Sequence, residues 1–242
     1  LREAKLRSSW NAPNEAYEAS CVRYLDGLLL NDDHLQLRKS VADAAQLISC
    51  PGALNSLVQT LMRMTVPGVP DLYQGNEYWD FSLVDPDNRR PVDYPARRAS
   101  LTDNAPLPEL LANWQDARAK QALVARVLDC RMAHPELFRR GAYLPLAVQG
   151  KHADKVVAFA RLGDSERAVI IAPRLASSLL GTAATPLIPA QNWDDTRVIL
   201  PFAFSPANST GLFGASVVSP VRELKLSAVL SEFPVNVLIE HN

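Results

Sequence analysis

Apolar residues recur at a helical spacing of about 3.6 up to roughly residue 140 and come in short β-branched runs after it, so a helical part must be followed by a β part. Leu54, Leu57, Val58, Leu61 and Met62 stand at i, i+3, i+4, i+7 and i+8, which aligns them on one helical face. Pro51-Gly52 marks the expected start of that helix and Pro67-Gly68 its end. Leu37, Val41, Ala44 and Ile48 make a second stripe. A third helix is expected over about 116–133, with Ala119, Leu123, Val127 and Cys130 on one side and Lys120 with most of the arginines on the other. All three stripes are read as core-facing.

From Gly141 onward, strands are expected at 156–160, 168–172, 197–200, 215–218 and 235–239, separated by Gly, Pro, Asp and Asn. Short strands punctuated in this way predict an antiparallel β-sandwich or small barrel, with long surface loops at 183–189 and 205–214. The fold class is therefore α+β in two domains, a mainly helical segment over 1–140 and a β domain over 141–242.

Composition narrows the function. Hydrophobic residues make up 48% and charged residues 21%, the balance of a folded globular protein. The longest apolar runs, such as 168–173, fall far short of the roughly 20 residues that span a bilayer, and no charged-then-apolar leader opens the chain, so no membrane partner is expected. A net charge of -1 offers no footprint for polyanions, which excludes nucleic acid as an expected partner. Cys21, Cys50 and Cys130 are odd in number and widely spaced, as buried thiols of a reducing compartment are, which points to the cytoplasm. His34, His134, His152 and His241 show no zinc-site spacing, and neither metal nor cofactor is expected.

Functional side chains crowd most densely in PGVPDLYQGNEYWDFSLVDPDNRRPVDY, residues 67–94. An apolar stretch at 69–73 runs into Gln74-Gly75-Asn76-Glu77, the pattern of a buried strand ending in a polar loop, and α/β barrels build their sites on such loops. Carboxylates, amides and aromatic rings together suit a sugar, which offers hydroxyls to the polar groups and an apolar face to the rings. Asp85, Asp87, Arg89 and Arg90 also fit a salt-bridged turn shaped by Pro86 and Asn88. Trp79 fits either a stacking platform or a core residue. Near the start of the chain, Ser9, Trp10, Asn14, Tyr17 and Glu18 fit either a cleft or a capped helix start. Trp193, before Asp194-Asp195, reads better as a strand-edge core residue than as a site.

The order Gly68, Pro70, Tyr73, Gly75, Glu77 resembles the eighth strand and following loop of the α-amylase superfamily barrel. DPDNRRPVDY and the opening REAKLRSSWNAPNEAYE more narrowly resemble the malto-oligosyltrehalose synthase family. GAYLPL, AFAR, APRL, WDDTRVILP and LSEFPVNVL are similar to that family's carboxyl-terminal domain.

The resemblance implies a carboxyl-terminal portion carrying the last strand and helix of a (β/α)8 barrel ahead of the β-sandwich. It also implies a malto-oligosaccharide substrate whose reducing-end α-1,4 bond becomes an α,α-1,1 bond with retention of configuration. Retention takes two carboxyl groups about 5–5.5 Å apart, which the family carries on the fourth, fifth and seventh strands with a third acid beside them. Those strands are not in this sequence, so no catalytic residue is expected here, and the missing amino-terminal part of the same enzyme is the expected partner. Trp10, Asn14, Tyr73, Gln74, Glu77, Trp79, Asp80, Asp87, Arg89 and Arg90 are the candidate substrate contacts. A non-catalytic glucan-binding or scaffold module and a part of a related α-glucan hydrolase stand as alternatives.

Overall fold

The computed structural model describes residues 1–82, 85, 87–205, 209–215 and 221–241. Two compact units divide the chain, Leu1–Ser49 and Cys50–Asn242.

The first unit holds helix α1, Glu15–Leu30, and the beginning of helix α2, Leu35–Thr65, joined through a 3-10 turn at Asp32–His34. Asn14 caps α1, its side-chain oxygen accepting from the Tyr17 amide at 3.1 Å. No residue of α1 is buried, and Leu37, Val41 and Ile48 are 47%, 60% and 67% exposed. The expectation that this stripe faces a core is thereby corrected. Within Leu1–Ser49 two helices have no third layer to close over them, and an amphipathic face needs one to be buried.

A second correction concerns Pro51-Gly52, which lies inside α2 rather than at its start. Proline removes one interior hydrogen bond, but the next turns bury Leu54, Leu57 and Leu61, and that packing outweighs the local signal. The helix ends at Thr65, just before Pro67-Gly68.

Cys50–Asn242 continues with helices α3, Tyr94–Leu101; α4, Leu107–Ala112; α5, Arg118–Ala133; and α6, Pro135–Arg140. Strands follow as β1, Ala142–Pro145; β2, Ala147–Gln149; β3, Val156–Leu162; and β4, Glu166–Pro173. After helix α7, Ser177–Leu180, come β5, Arg197–Phe204; β6, Ser209–Gly211; and β7, Val221–Lys225. Helix α8, Leu226–Val229, and β8, Asn236–His241, complete the order. Four of the five expected strands are present. The fifth, at 215–218, lies outside the described residues beyond Ala215, while β1, β2, β6 and β7 carry too little alternation to announce themselves. The expected loop at 205–214 contains β6, which pairs with β8.

All pairings between these strands are antiparallel. One sheet runs β1-β3-β4-β8-β6 and the other β2-β5-β7. Strand alternation sorts the side chains of the larger sheet. Phe159, Ala168, Ile170, Ala172, Val237 and Ile239 join the core formed with α2, α4, α5 and α6. Ala158, Ala160, Val169, Ile171 and Leu238 join a second core shared with Val198, Leu200, Phe204 and Leu224 of the smaller sheet. Trp193 is fully buried in that second core. The fully apolar runs of β3 and β4 follow from this placement, since both faces are covered.

The stretch 69–73 forms no strand: Val69 is 97% exposed and Tyr73 is 39% exposed. The reading of these residues as a buried strand is corrected for this chain. A central strand needs a hydrogen-bonding neighbour on each side, and among the described residues none pairs with it.

Candidate functional site

The turn after Tyr73 is built by backbone bonds from the Asn76 amide to Tyr73 O at 3.1 Å and from the Tyr78 amide to Gly75 O at 3.3 Å. Gly75 sits at φ +85°, and a Cβ there would meet Val92 Cγ2 at 3.1 Å, so this tight turn calls for glycine. Helix α3 follows, capped by Asp93, whose Oδ1 accepts from the Ala96 amide at 3.0 Å. Between the turn and the helix lies an open cavity of about 270 Å³, lined by Gln74, Trp79, Asp80, Asp87, Arg90 and Arg97 among others.

Five of the ten residues singled out in the sequence meet at this cavity: Gln74, Trp79, Asp80, Asp87 and Arg90. Asp80 accepts from the Ser82 hydroxyl at 2.6 Å and from its amide at 2.8 Å, and these bonds hold its carboxyl below the usual range. Asp80 is therefore an ionised acceptor at neutral pH. A general acid would need the opposite shift. Trp79 turns its ring edge toward Trp114, with centroids 6.2 Å apart, and its indole N–H donates to Trp114 O at 2.8 Å. Half-buried and packed against the first core, it wedges the turn onto the helices.

The other candidates have different work. Asp85 receives two bonds from Arg89, at 2.7 and 2.8 Å, and Asp87 pairs with Arg90 at 3.5 Å. These are exposed pairs, each contributing about 0–1 kcal/mol. Pro86 lies outside the described residues. Glu77 pairs with Arg97 at 3.3 Å, and Tyr73 stands exposed at the head of the turn.

In the other unit, Trp10 is exposed, donates its indole N–H to Glu3 at 2.7 Å and lies under the Arg2 guanidinium at 5.3 Å. Arg2 grips Glu18 through two bonds of 2.8 Å, and the Ser8 hydroxyl also donates to Glu18. These bonds, Arg2's first, pull the Glu18 carboxyl down to about 2. Asn14 serves as the α1 cap described above.

Two residues that hold the site were not predicted. Arg97 reaches the turn from α3. Lys120, assigned by helical periodicity to the outer side of α5, is instead buried, donating to Tyr78 O at 2.9 Å with its ammonium 5.7 Å from the Trp79 ring. Burial, with Arg63 nearby, lowers the lysine to about 8. A polar chain backs both residues: Tyr78 hydroxyl to Ser100 Oγ at 2.6 Å, Ser100 to Gln121, and Gln121 Nε2 to Arg97 O at 2.8 Å. The spacing of charges along a helix does not reveal such contacts, because each partner lies 20 or more residues away.

Among the described residues, no group of three His, Cys, Asp or Glu side chains is placed to hold a metal ion, and no helix is long and apolar enough to cross a membrane.

No family model matches the chain. It is similar to two curated Mycobacterium tuberculosis proteins named for maltooligosyl trehalose synthase, at 37% identity over 242 residues. The match takes in all of this chain and 27% of those relatives, so the chain spans about a quarter of their length. Among solved structures it is similar to maltooligosyltrehalose synthase from Arthrobacter ramosus, with a TM-score of 0.69 and 30% identity over 99% of this chain and 28% of that one. A Sulfolobus tokodaii protein described as a hypothetical maltooligosyl trehalose synthase shares the fold, with a TM-score of 0.58 at 23% identity, covering 98% of this chain and 27% of that one.

Proposed function

We propose that this chain, related along its whole length to the maltooligosyltrehalose synthases, is the carboxyl-terminal portion of such an enzyme and forms part of the wall of its sugar pocket. The observation that carries the reading is the full-length similarity to relatives of which the chain spans little more than a quarter. In the complete protein, residues 1–140 end the catalytic (β/α)8 barrel and residues 141–242 form the terminal β-sandwich. The 69–73 segment takes its place as the last barrel strand. The exposed Val69 supports this, since neighbouring strands would cover it.

The reaction of the complete protein is an intramolecular transglucosylation in the cytoplasm, an isomerisation that turns the reducing-end α-1,4 linkage of a malto-oligosaccharide into an α,α-1,1 linkage. Its reacting acids come from polypeptide beyond this chain. Gln74, Asp80, Asp87 and Arg90 bind sugar hydroxyls, with the ionised Asp80 as an acceptor. Glu77 and Trp79 hold the turn. Tyr73 and Arg89 flank the pocket, and Trp10 and Asn14 form a second candidate patch in the other unit. The intramolecular outcome depends on keeping water from the covalent intermediate, which a closed wall serves.

The direct test supplies maltopentaose to the longer polypeptide that carries this sequence. A trehalosyl product is expected, and release of glucose and maltose alone would reject the assignment.

A further inference from the structure

Arg97 makes more contacts with the 74–80 turn than any residue predicted for the site. Its Nη2 donates to Gly75 O at 2.9 Å, its Nη1 to Asp93 O at 3.1 Å and its Nε to the Glu77 carboxylate at 3.3 Å. The guanidinium also lies 4.5 Å from the centre of the Tyr78 ring. Its side chain is only 16% exposed, yet it reaches the surface of the cavity that Gln74 and Asp80 line. Gly75 O is thus shared by Arg97 and by the Tyr78 amide, which closes the turn.

We infer that Arg97 is the positioning residue of this pocket, fixing the turn so that Gln74 and Asp80 meet a sugar in one orientation. The inference rests on the reading of the pocket as a malto-oligosaccharide site. Three acceptors in three directions and a ring face match a planar, five-donor guanidinium, and a lysine ammonium cannot reach all of them. A partner held in place before binding spares the complex that ordering, so loss of Arg97 weakens substrate binding before it slows the chemistry.

The test has two arms. In this chain, hydrogen exchange at the Tyr78 amide should accelerate about tenfold in Arg97→Gln while the β4 amides keep their protection. In the longer polypeptide, KM for maltopentaose should rise about tenfold with kcat held within about twofold; Arg97→Lys should behave like Arg97→Gln, and added guanidinium ion should restore KM in Arg97→Ala. Glu77→Gln, which leaves the other two bonds in place, should show a smaller effect in both arms and covers the case in which the Arg97 variants misfold. Unchanged Tyr78 exchange or an unchanged KM would overturn the inference, and where loss of protection spreads to β4 in the Arg97 variants, no change at all in Glu77→Gln would overturn it. If the unaltered polypeptide makes no trehalosyl product, the functional reading falls, and Tyr78 exchange alone decides the role of Arg97.

Discussion

Lys120 shows how one buried charge ties the candidate site to stability. Its ordinary value of 10.5 falls to about 8 in the folded chain, mainly through burial. Between those values the unfolded chain holds a proton that the folded chain has released, so raising the pH favours folding. The contribution is fully present above 10.5 and lost as the pH falls through about 8. Urea denaturation at pH 7.5 and 9.5 should show this gain, and Lys120→Met should remove it; a variant with the same pH dependence as the parent would contradict the assignment. Gly75 is the second decisive residue. With φ at +85° and Val92 close by, Gly75→Ala should cost about 1–3 kcal/mol, read as a lower denaturation midpoint. Glycine at this position was legible in the sequence as part of the 67–94 cluster. The burial of Lys120 was not, because the residue sits on the face that helical periodicity assigns to solvent.

Among the elements, β3 anchors the helices through one side chain. Arg161 is almost wholly buried and donates to Thr65 O at 3.0 Å, Phe138 O at 2.9 Å and Gly141 O at 2.9 Å. These carbonyls lie at the carboxyl ends of α2 and α6, where a helix leaves acceptors unpaired and favours a cation. Arg131 adds a bond to Met64 O at 2.6 Å at the same end of α2. Arg161→Met should therefore cost about 3 kcal/mol or more, since it strands buried acceptors, and Arg161→Lys should recover only part of that. Equal denaturation midpoints for the parent and Arg161→Met would refute this account. The elements themselves were mostly legible: α5 and the 54–62 stripe follow the 3.6 period, and β3, β4, β5 and β8 follow β-branched runs. The 69–73 segment shows the limit of that reading, since its apolar composition matches a strand while strand formation requires neighbours.

Across the whole molecule, apolar surface is distributed unevenly. Cys50–Asn242 encloses two cores, whereas Leu1–Ser49 leaves Leu29, Leu37, Val41, Leu47 and Ile48 exposed. Exposed apolar patches of this kind drive association. Leu37→Lys, Val41→Lys and Ile48→Glu together should reduce self-association of the isolated chain in analytical ultracentrifugation and leave the melting of Cys50–Asn242 unchanged. Self-association that persists undiminished would show that the patch does not drive it. The sequence by itself determined the helix-then-strand order, four of the eight described strands and the 67–94 cluster, because period and turn chemistry are local properties of the chain. Only the tertiary structure decided that Arg97 and Lys120 hold that cluster from behind, that the 37–48 stripe meets solvent and that 69–73 stays unpaired. Each of those outcomes depends on which residues, distant in sequence, come close enough to donate a hydrogen bond or exclude water.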